Sequence, residues 1–313
     1  MSTLPTLVFI PGSWHKATCY DKVIKLLRDQ HNLKCVSITL PSTSGQRDAT
    51  FKDDIDTAHQ AISNEISQGH NVVVIAHSYG GMVGNSVIKG FPKRQNETGN
   101  IIGLILIASG FTLTGFAFMD PFFGYPLPFF HVNKETGFAD LITSPQKLFY
   151  HDLSNDEADY WTSELTTQTL KSLYEGGEHA YAGWMDVPVW YLGTTEDQGI
   201  PVLAQRMQIG MARAMGGHVV HREMQTSHSP FLSRPKETAD FINEAIMAFS
   251  DIPTQSIATA SERKSIAALP QPRLWQPLSW FKFGLPLGFG YLLGRIIHLG
   301  SKIRSWWRPA IAL

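Results

Sequence analysis

Predominantly apolar runs alternate with segments of helical spacing over the first 110 residues of the chain. The runs occupy 6–10, 35–40, 72–76 and 101–108. The intervening segments repeat apolar residues every three or four positions, as helices with one buried face do. A strand that is apolar throughout is buried on both faces, as in a parallel sheet covered by helices. The pattern therefore predicts an α/β fold with a mostly parallel central sheet and helices on both faces.

The alternation stops after residue 109 and returns from 186 to 252, where two more strands and two more helices are predicted. The interruption begins with eight aromatic residues among the twenty at 111–130, together with prolines and glycines that disfavour regular structure. Its later part contains three short segments of helical spacing, at 144–150, 156–165 and 167–174. We therefore predict a core at 1–109 and 186–252 and an inserted cap at 110–185 that encloses an apolar pocket.

The composition argues against several classes of protein. The chain has 313 residues, a net charge of −1 and two cysteines, which fits one large core and predicts neither a disulfide framework nor a metal site. The absence of a basic excess argues against a nucleic-acid partner. The first twelve residues lack the pattern of a signal peptide, so we expect an intracellular, cytoplasmic protein that is not secreted.

The apolar run at 72–76 leads into a turn that carries a serine. Residues 76–80 are A-H-S-Y-G, followed by Gly81 and a helical segment. Small residues around a serine at a strand-to-helix turn are typical of a nucleophile elbow, which exposes the serine Oγ and aims the next backbone N–H at an oxyanion. A serine that merely caps the helix is the alternative. We predict that Ser78 is the nucleophile and that the N–H of Tyr79 is an oxyanion donor.

A serine nucleophile needs a base, and the base needs an acid that orients it. In an elbow architecture the acid and then the histidine follow the serine along the chain. Glu196 and Asp197 both follow the predicted strand at 188–192, and both are candidates for the acid. His228, in the loop after the last predicted strand, is the predicted base. The other histidines near these loops are expected to be structural or on the surface: His77, His218 and His221.

The second oxyanion donor is expected in the loop after the first strand. Gly12 lets the backbone approach closely there, and the N–H of Ser13 would pair with that of Tyr79. Aromatic and histidine side chains of this loop and of the cap region are expected to line the substrate pocket: Trp14, His15, Phe111, Phe116 and Trp184.

These loops resemble those of the α/β-hydrolase-fold family, closest to its methylesterase and hydroxynitrile lyase branch. The acid loop T-T-E-D-Q-G-I-P at 194–201, followed by Gln205, is similar to that of the branch, and the resemblance implies that Asp197 rather than Glu196 is the acid. S-H-S-P-F-L-S-R-P at 227–235 resembles its histidine loop and supports His228. The resemblance covers about residues 5–250 and is weakest in the cap.

Three positions depart from the branch. Pro11 replaces the usual histidine before the oxyanion glycine, and Lys16 stands where a second glycine is common. Ser229 replaces the lysine that the lyases need after the catalytic histidine, so cyanohydrin cleavage is not expected.

The resemblance implies that a lipophilic ester or lactone is hydrolysed through an acyl-serine, without a metal or organic cofactor. Two alternatives stay open. One is acyl transfer or cyclisation in a secondary-metabolite pathway, and the other is a non-catalytic receptor for a small molecule. An intact serine, acid and histidine set weighs against the receptor.

The end of the chain has a different composition from the rest. Residues 253–313 carry eight lysines and arginines against one glutamate, or +7, which leaves −8 on the remaining residues. Residues 253–272 are polar and rich in alanine and are predicted to be a linker. Residues 273–313 combine an apolar stretch with tryptophans and basic residues, which predicts an interfacial membrane anchor. The alternative is a segment that folds back onto an apolar groove of the body.

Overall fold

The computed structural model describes residues 4–91, 99–250, 267–268 and 276–307, with side chains described as far as residue 300. A seven-stranded sheet lies at its centre. In spatial order its strands are β2 (Cys35–Ser37), β1 (Thr6–Ile10), β3 (Val72–His77), β4 (Ile101–Ile107), β7 (Val189–Thr194), β8 (Val219–Met224) and β9 (Ala267–Ala268). All neighbours are parallel except β8 and β9. The predicted α/β class with a mostly parallel sheet is confirmed.

Strands β1, β3 and β4 are buried along almost their whole length. Every residue of β1 and β3 is buried, and β4 is buried at all positions but one. Because neighbouring parallel strands point the same way, the loops that follow β1, β3, β7 and β8 all emerge at one edge of the sheet. The sheet therefore gathers the loops that carry the predicted catalytic residues.

Helices cover the sheet. They are α1 (Asp21–His31), α2 (Phe51–Ile66), α3 (Gly80–Val87), α7 (Val202–Ala214), α8 (Pro230–Ser233) and α9 (Pro235–Phe249). Helix α2 begins with a reciprocal cap in which the Thr50 hydroxyl accepts from the N–H of Asp53 and the Asp53 carboxylate accepts from the N–H of Thr50. This cap sets the start of a helix that packs against α3.

The segment between β4 and β7 contains the short helices α4 (Pro145–Phe149), α5 (Asn155–Ser163) and α6 (Leu170–Tyr174). It also contains an antiparallel hairpin of β5 (Phe130–Asn133) and β6 (Phe138–Leu141), which was not predicted. The strands are only four residues long, too short for a clear alternation of apolar and polar residues. The turn between them is closed by Asn133, whose side chain accepts from two backbone N–H groups.

Residues 277–307 form one continuous helical segment, here called the tail helix. It runs through α10 (Pro277–Ser279), a π-helical turn (Trp280–Gly284) and α11 (Leu285–Trp307), and it packs along α7. Of the predicted linker only Ala267–Ala268 are described, as β9; its other residues lie outside the described part of the chain. Among the described residues, no helix combines the length and the apolar character that a membrane crossing requires.

Candidate active site

Ser78 occupies the turn between β3 and α3 in a left-handed backbone conformation, with φ of +51°. A non-glycine residue is uncommon in that region and is held there by its surroundings. The hydroxyl of Ser109 donates to the carbonyl of Ser78 at 2.6 Å and so braces the turn from β4. The predicted elbow geometry, a strained serine between a buried strand and a helix, is present.

The loop after β1 passes directly over this serine. A Cβ added to Gly12 would lie 2.9 Å from the Cβ of Ser78 and 2.9 Å from Nδ1 of His77, so only glycine fits. The next residue is Ser13, whose carbonyl accepts from Nδ1 of His15 at 2.7 Å. Ser13 and Tyr79, the two predicted oxyanion donors, thus lie in backbone segments that meet at Ser78.

His15 and Trp14 fasten this loop to the segment between β4 and β7. Nε2 of His15 accepts from the hydroxyl of Tyr150 at 2.8 Å, and burial lowers the pKa of His15 to about 4, so the ring is neutral at pH 7. Trp14 has a φ of +62°, and its indole N–H donates to the carbonyl of Ala139 at 2.9 Å. Lys16, one of the departures from the family pattern, pairs with Glu164. Both predicted pocket residues of this loop are buried and serve as connections to the neighbouring segment.

Asp197 and His228 are in direct contact. Nδ1 of His228 donates to Oδ2 of Asp197 at 2.7 Å, and both side chains are buried. The Asp197 carboxylate also accepts from the N–H groups of Gly199 and Ile200 at 2.7 and 2.8 Å and from the Thr194 hydroxyl at 2.7 Å. These donors stabilise the charged carboxylate in one orientation.

The competing candidates lie elsewhere. Glu196 is exposed, and its carboxylate accepts from the side chain of Gln225. His218 is exposed on the approach to β8, and His221 is buried beside Glu223 at 3.3 Å. The structure therefore brings Asp197, not Glu196, to the predicted base His228.

His77 holds the backbone of the histidine loop. Its Nε2 lies 2.9 Å from the carbonyl oxygen of His228, which can only accept, so Nε2 carries the proton. Burial and the neighbouring His228 and His15 rings lower the pKa of His77 well below its ordinary value, so the ring is neutral. The rings of His77 and His228 are 4.6 Å apart. Sequence reasoning placed His77 beside the elbow but missed that it positions His228.

The inserted segment also holds the histidine loop. The N–H of Ser227 donates to the carboxylate of Asp152 at 2.9 Å, and the Ser227 hydroxyl donates to the carbonyl of Phe149 at 2.7 Å. The Phe149 ring lies 5.6 Å from the His228 ring and 5.3 Å from that of His15. The two predicted catalytic loops are thus joined to each other through one aromatic side chain.

The buried carboxyl group of Asp54 forms a hydrogen bond with the side chain of Tyr79. The Tyr79 hydroxyl donates to Oδ2 of Asp54 at 2.7 Å, and the N–H of Ser42 donates to Oδ1 at 2.9 Å. Burial raises the pKa of Asp54 to about 6 despite these bonds. Nothing in the local sequence marks Asp54, because it is one acid among several on α2 and only the tertiary contact distinguishes it.

The remaining predicted pocket residues are not equivalent. The Phe111 ring is buried and stacks on Tyr191 at 5.6 Å, and Trp184 is fully buried with its indole N–H donating to the carbonyl of Thr112. Phe116 is 48% exposed. A small cavity of about 10 Å³ adjoins His15 and is lined in part by Tyr150 and Trp161, which is room for about one water molecule.

Among the described residues, no cluster of histidine, cysteine and acidic side chains has the arrangement of a metal site. Cys19 and Cys35 are buried free thiols, and burial raises the pKa of both. The chemistry available in the described site is therefore that of a hydroxyl, an imidazole, a carboxylate and backbone N–H groups.

Comparison with known proteins identifies the family to which the chain belongs. A family model described as the alpha/beta hydrolase family matches residues 7–241. The α/β-hydrolase nvfD of Aspergillus novofumigatus is 25% identical over 253 residues, which is 77% of this chain and 96% of that protein. The pyrethroid hydrolase of Sphingobium faniae JZ-2 superposes with a TM-score of 0.62 at 19% identity, over 81% of this chain and all of that one. The methylesterase MES16 of Arabidopsis superposes with a TM-score of 0.58 at 16% identity, over 78% of this chain and all of that one.

Proposed function

The chain belongs to the α/β-hydrolase family, and we propose that it is a serine hydrolase that cleaves a lipophilic carboxylic ester or lactone. The observation that carries the proposal is the 2.7 Å hydrogen bond between buried Asp197 and His228, in a loop that packs beside the strained turn of Ser78. A buried acid that orients a histidine next to such a serine is the arrangement that activates a hydroxyl.

In the proposed reaction, Oγ of Ser78 attacks the substrate carbonyl carbon and its proton passes to His228. Nε2 is the nitrogen available for that proton, because Nδ1 already donates its own to Asp197. Collapse of the tetrahedral intermediate expels the alcohol, which takes the proton from Nε2. Water then attacks the acyl-serine with His228 again as base, releasing the acid and restoring Ser78.

Negative charge develops on the carbonyl oxygen in both steps. The N–H groups of Ser13 and Tyr79 are the proposed donors, held by backbone contacts at Gly12 and by the side-chain bond from Tyr79 to Asp54. Loss of one oxyanion donor costs a rate factor of roughly 10²–10³ in serine hydrolases.

The neighbourhood of the site favours an apolar substrate. The Phe149 ring contacts His228, and the Phe118 ring lies 5.5 Å from that of Tyr79. Apolar walls bind an apolar acyl or alkyl group and restrict the water around the reacting atoms. A methylesterase and a pyrethroid hydrolase are among the fold neighbours, so esters are the first substrates to try.

The test compares the two adjacent acids in the same loop. With medium-chain aryl esters as substrates, Asp197→Asn is expected to lower kcat by roughly 10³–10⁴-fold, because the amide favours the wrong histidine tautomer. Glu196→Gln is the matched control and should retain near wild-type activity, since Glu196 is exposed and contacts Gln225. Equal losses in the two variants, or none in either, would contradict the assigned acid.

Labelling with a fluorophosphonate probe tests the nucleophile independently of substrate choice. Wild type should be labelled and Ser78→Ala should not, while Ser44→Ala, at an exposed serine, should label as wild type does. An unlabelled wild-type protein with a cooperative thermal transition and no esterase or lactonase activity would refute the hydrolase and favour the receptor.

A further inference from the structure

The tail helix has two different faces. The inner face, which contacts α7, carries Phe283, Leu287, Gly290, Gly294 and Ile297. A Cβ on Gly290 would lie 1.9 Å from the carbonyl oxygen of Met207, and one on Gly294 would lie 2.4 Å from that of Met211. Backbone thus meets backbone at these glycines, as in the close helix packing that small residues permit. The tail helix is fixed to α7 along its length.

The opposite face consists of large apolar side chains that are open to solvent. They recur at intervals of three and four residues and are 57–70% exposed. We call them the outer stripe: Phe281, Leu285, Phe289, Leu292, Ile296 and Leu299. Single exposed apolar residues are normal on protein surfaces, but a contiguous row of this kind marks an interaction site.

We propose that the outer stripe binds the surface of an anionic membrane, with the tail helix lying parallel to the bilayer and the body held on its far side. A helix that lies in the interface buries one apolar face among the lipid chains and keeps its polar borders at the headgroups. The docking of the opposite face on α7 holds the helix in that orientation.

The charges of the tail helix favour anionic lipid over a second protein copy as the partner of the outer stripe. No acidic residue occurs between 276 and 313, Lys282 directly follows Phe281 of the stripe, and at about 100° per residue Arg295 falls just outside one border of the stripe in α11. Both side chains are exposed and can reach phosphate groups while the stripe is buried. A second copy that docked through its own outer stripe would bring further basic residues, whereas anionic lipid supplies the opposite charge.

The tail helix is also connected to the acid loop. Arg206 on α7 donates to the carbonyl of Lys282, and its guanidinium stacks on the ring of Phe283 at 4.0 Å. One residue earlier, the side chain of Gln205 donates to the carbonyl of Ile200 at 2.7 Å and contacts the Asp197 carboxylate at 3.2 Å. Membrane binding through the stripe would therefore place the acid-loop side of the body towards the lipid.

Flotation of the full-length protein with vesicles tests the proposal. Wild type should float with vesicles of phosphatidylserine and phosphatidylcholine, and Leu292→Glu/Ile296→Glu should reduce the bound fraction at least tenfold. Ile142→Glu, at an equally exposed apolar side chain outside the tail helix, is the matched control and should bind as wild type does. Lys282→Gln/Arg295→Gln should weaken binding to the mixed vesicles but leave any binding to pure phosphatidylcholine unchanged.

Two results would overturn the proposal. One is a wild-type protein that does not float with the anionic vesicles, or a stripe variant that floats as well as wild type. The other is a wild-type dimer in sedimentation velocity that Leu292→Glu/Ile296→Glu converts to a monomer, which would assign the stripe to a second copy.

Discussion

Helix α9 and the tail helix both pack on the body along one side, but they present opposite faces to it. In α9 the large apolar residues point inward and are fully buried, among them Phe241, Ile242 and Ile246, while Lys236 and Glu244 are exposed. In the tail helix glycines point inward and the large apolar residues of the outer stripe point to solvent. Helix α9 buries its apolar face against the body, as amphipathic helices usually do. The tail helix instead exposes the apolar side chains of its outer stripe.

The difference separates two ways of attaching a helix. Burial of side chains from water holds α9, as the contact of Phe241 with Trp190 illustrates. The tail helix is held by close backbone packing at its glycines, by the partly buried side chains of Leu287 and Ile297 and by Arg206, and this arrangement leaves the side chains of the outer stripe free for another apolar phase. A helix that buries small residues and exposes large ones is therefore a candidate interface even when it is firmly attached to the body.

The largest change in the free energy of unfolding is expected from a substitution on the inner face of α9. Ile242→Asp should lower the free energy of unfolding by about 5 kcal/mol, because it places a charged group where no water reaches. Ile296→Asp in the outer stripe is the counterpart and should change it by less than about 0.5 kcal/mol. Urea denaturation of the two variants without lipid measures the contrast, and a large loss in Ile296→Asp would show that the stripe is structural.

Arg206 joins the body to the tail helix, and its substitution tests how much a buried ion pair of the body contributes to stability. It forms two 2.7 Å hydrogen bonds with Glu223, and both side chains are buried. Burial opposes the ionisation of Glu223, but the bonds from Arg206 outweigh it and lower the pKa of that carboxyl to about 2. Arg206→Met should lower the free energy of unfolding by about 3 kcal/mol at pH 7, since it leaves a buried charge unpaired.

The control for this change removes both charges. Arg206→Met/Glu223→Gln should recover most of the loss, because no unpaired ion remains. A carboxyl with a lowered folded-state pKa contributes stability above its unfolded pKa of 4.5 and loses it as the pH falls towards 2. The difference between wild type and Arg206→Met in urea titrations should therefore shrink over that interval, and a constant difference would argue against the ion pair as its source.

The smallest effect on the stability of the whole protein is expected from a substitution on the inner face of the tail helix. Gly290→Leu should separate α11 from α7, because even a Cβ at that position would overlap the carbonyl of Met207. Amide hydrogen exchange should then lose protection at least tenfold in α11, while the body keeps its thermal transition. Gly288→Leu is the matched control, since a Cβ there meets nothing within 4 Å, and it should keep or increase the protection. Equal exchange in both variants would contradict the docking.

Local pattern was sufficient for six of the seven strands of the sheet and for the elbow; β9 lies in the predicted linker. The strands at 6–10 and 72–76 are continuous apolar runs, and such runs stay buried in any arrangement that covers both faces of a sheet. The order of Ser78, an acid and His228 along the chain follows from the same alternation, because each predicted catalytic loop comes after a strand. The predicted ends of these six strands lie within two positions of the observed ones, except that β2 ends at Ser37, three residues before its predicted end.

The structure was needed to decide which of two similar residues fills one role, and which contacts a given side chain makes. From the residues alone Glu196 and Asp197 were equivalent, and the burial of Asp197 against His228 distinguishes them. His15 was expected to line a pocket, and only the structure shows that its ring also bonds to Ser13 and Tyr150. Such choices depend on atoms far apart along the chain, which no local pattern contains.

The tail helix illustrates the same division. Its sequence determined that it is apolar, basic and free of acids, since these properties belong to the residues themselves. Which side faces α7 was decided only by the tertiary structure, because glycines leave no hydrophobic signal and their value lies in how closely a second backbone can approach. Sequence determines which residues can be buried, and the contact between elements decides which of them are.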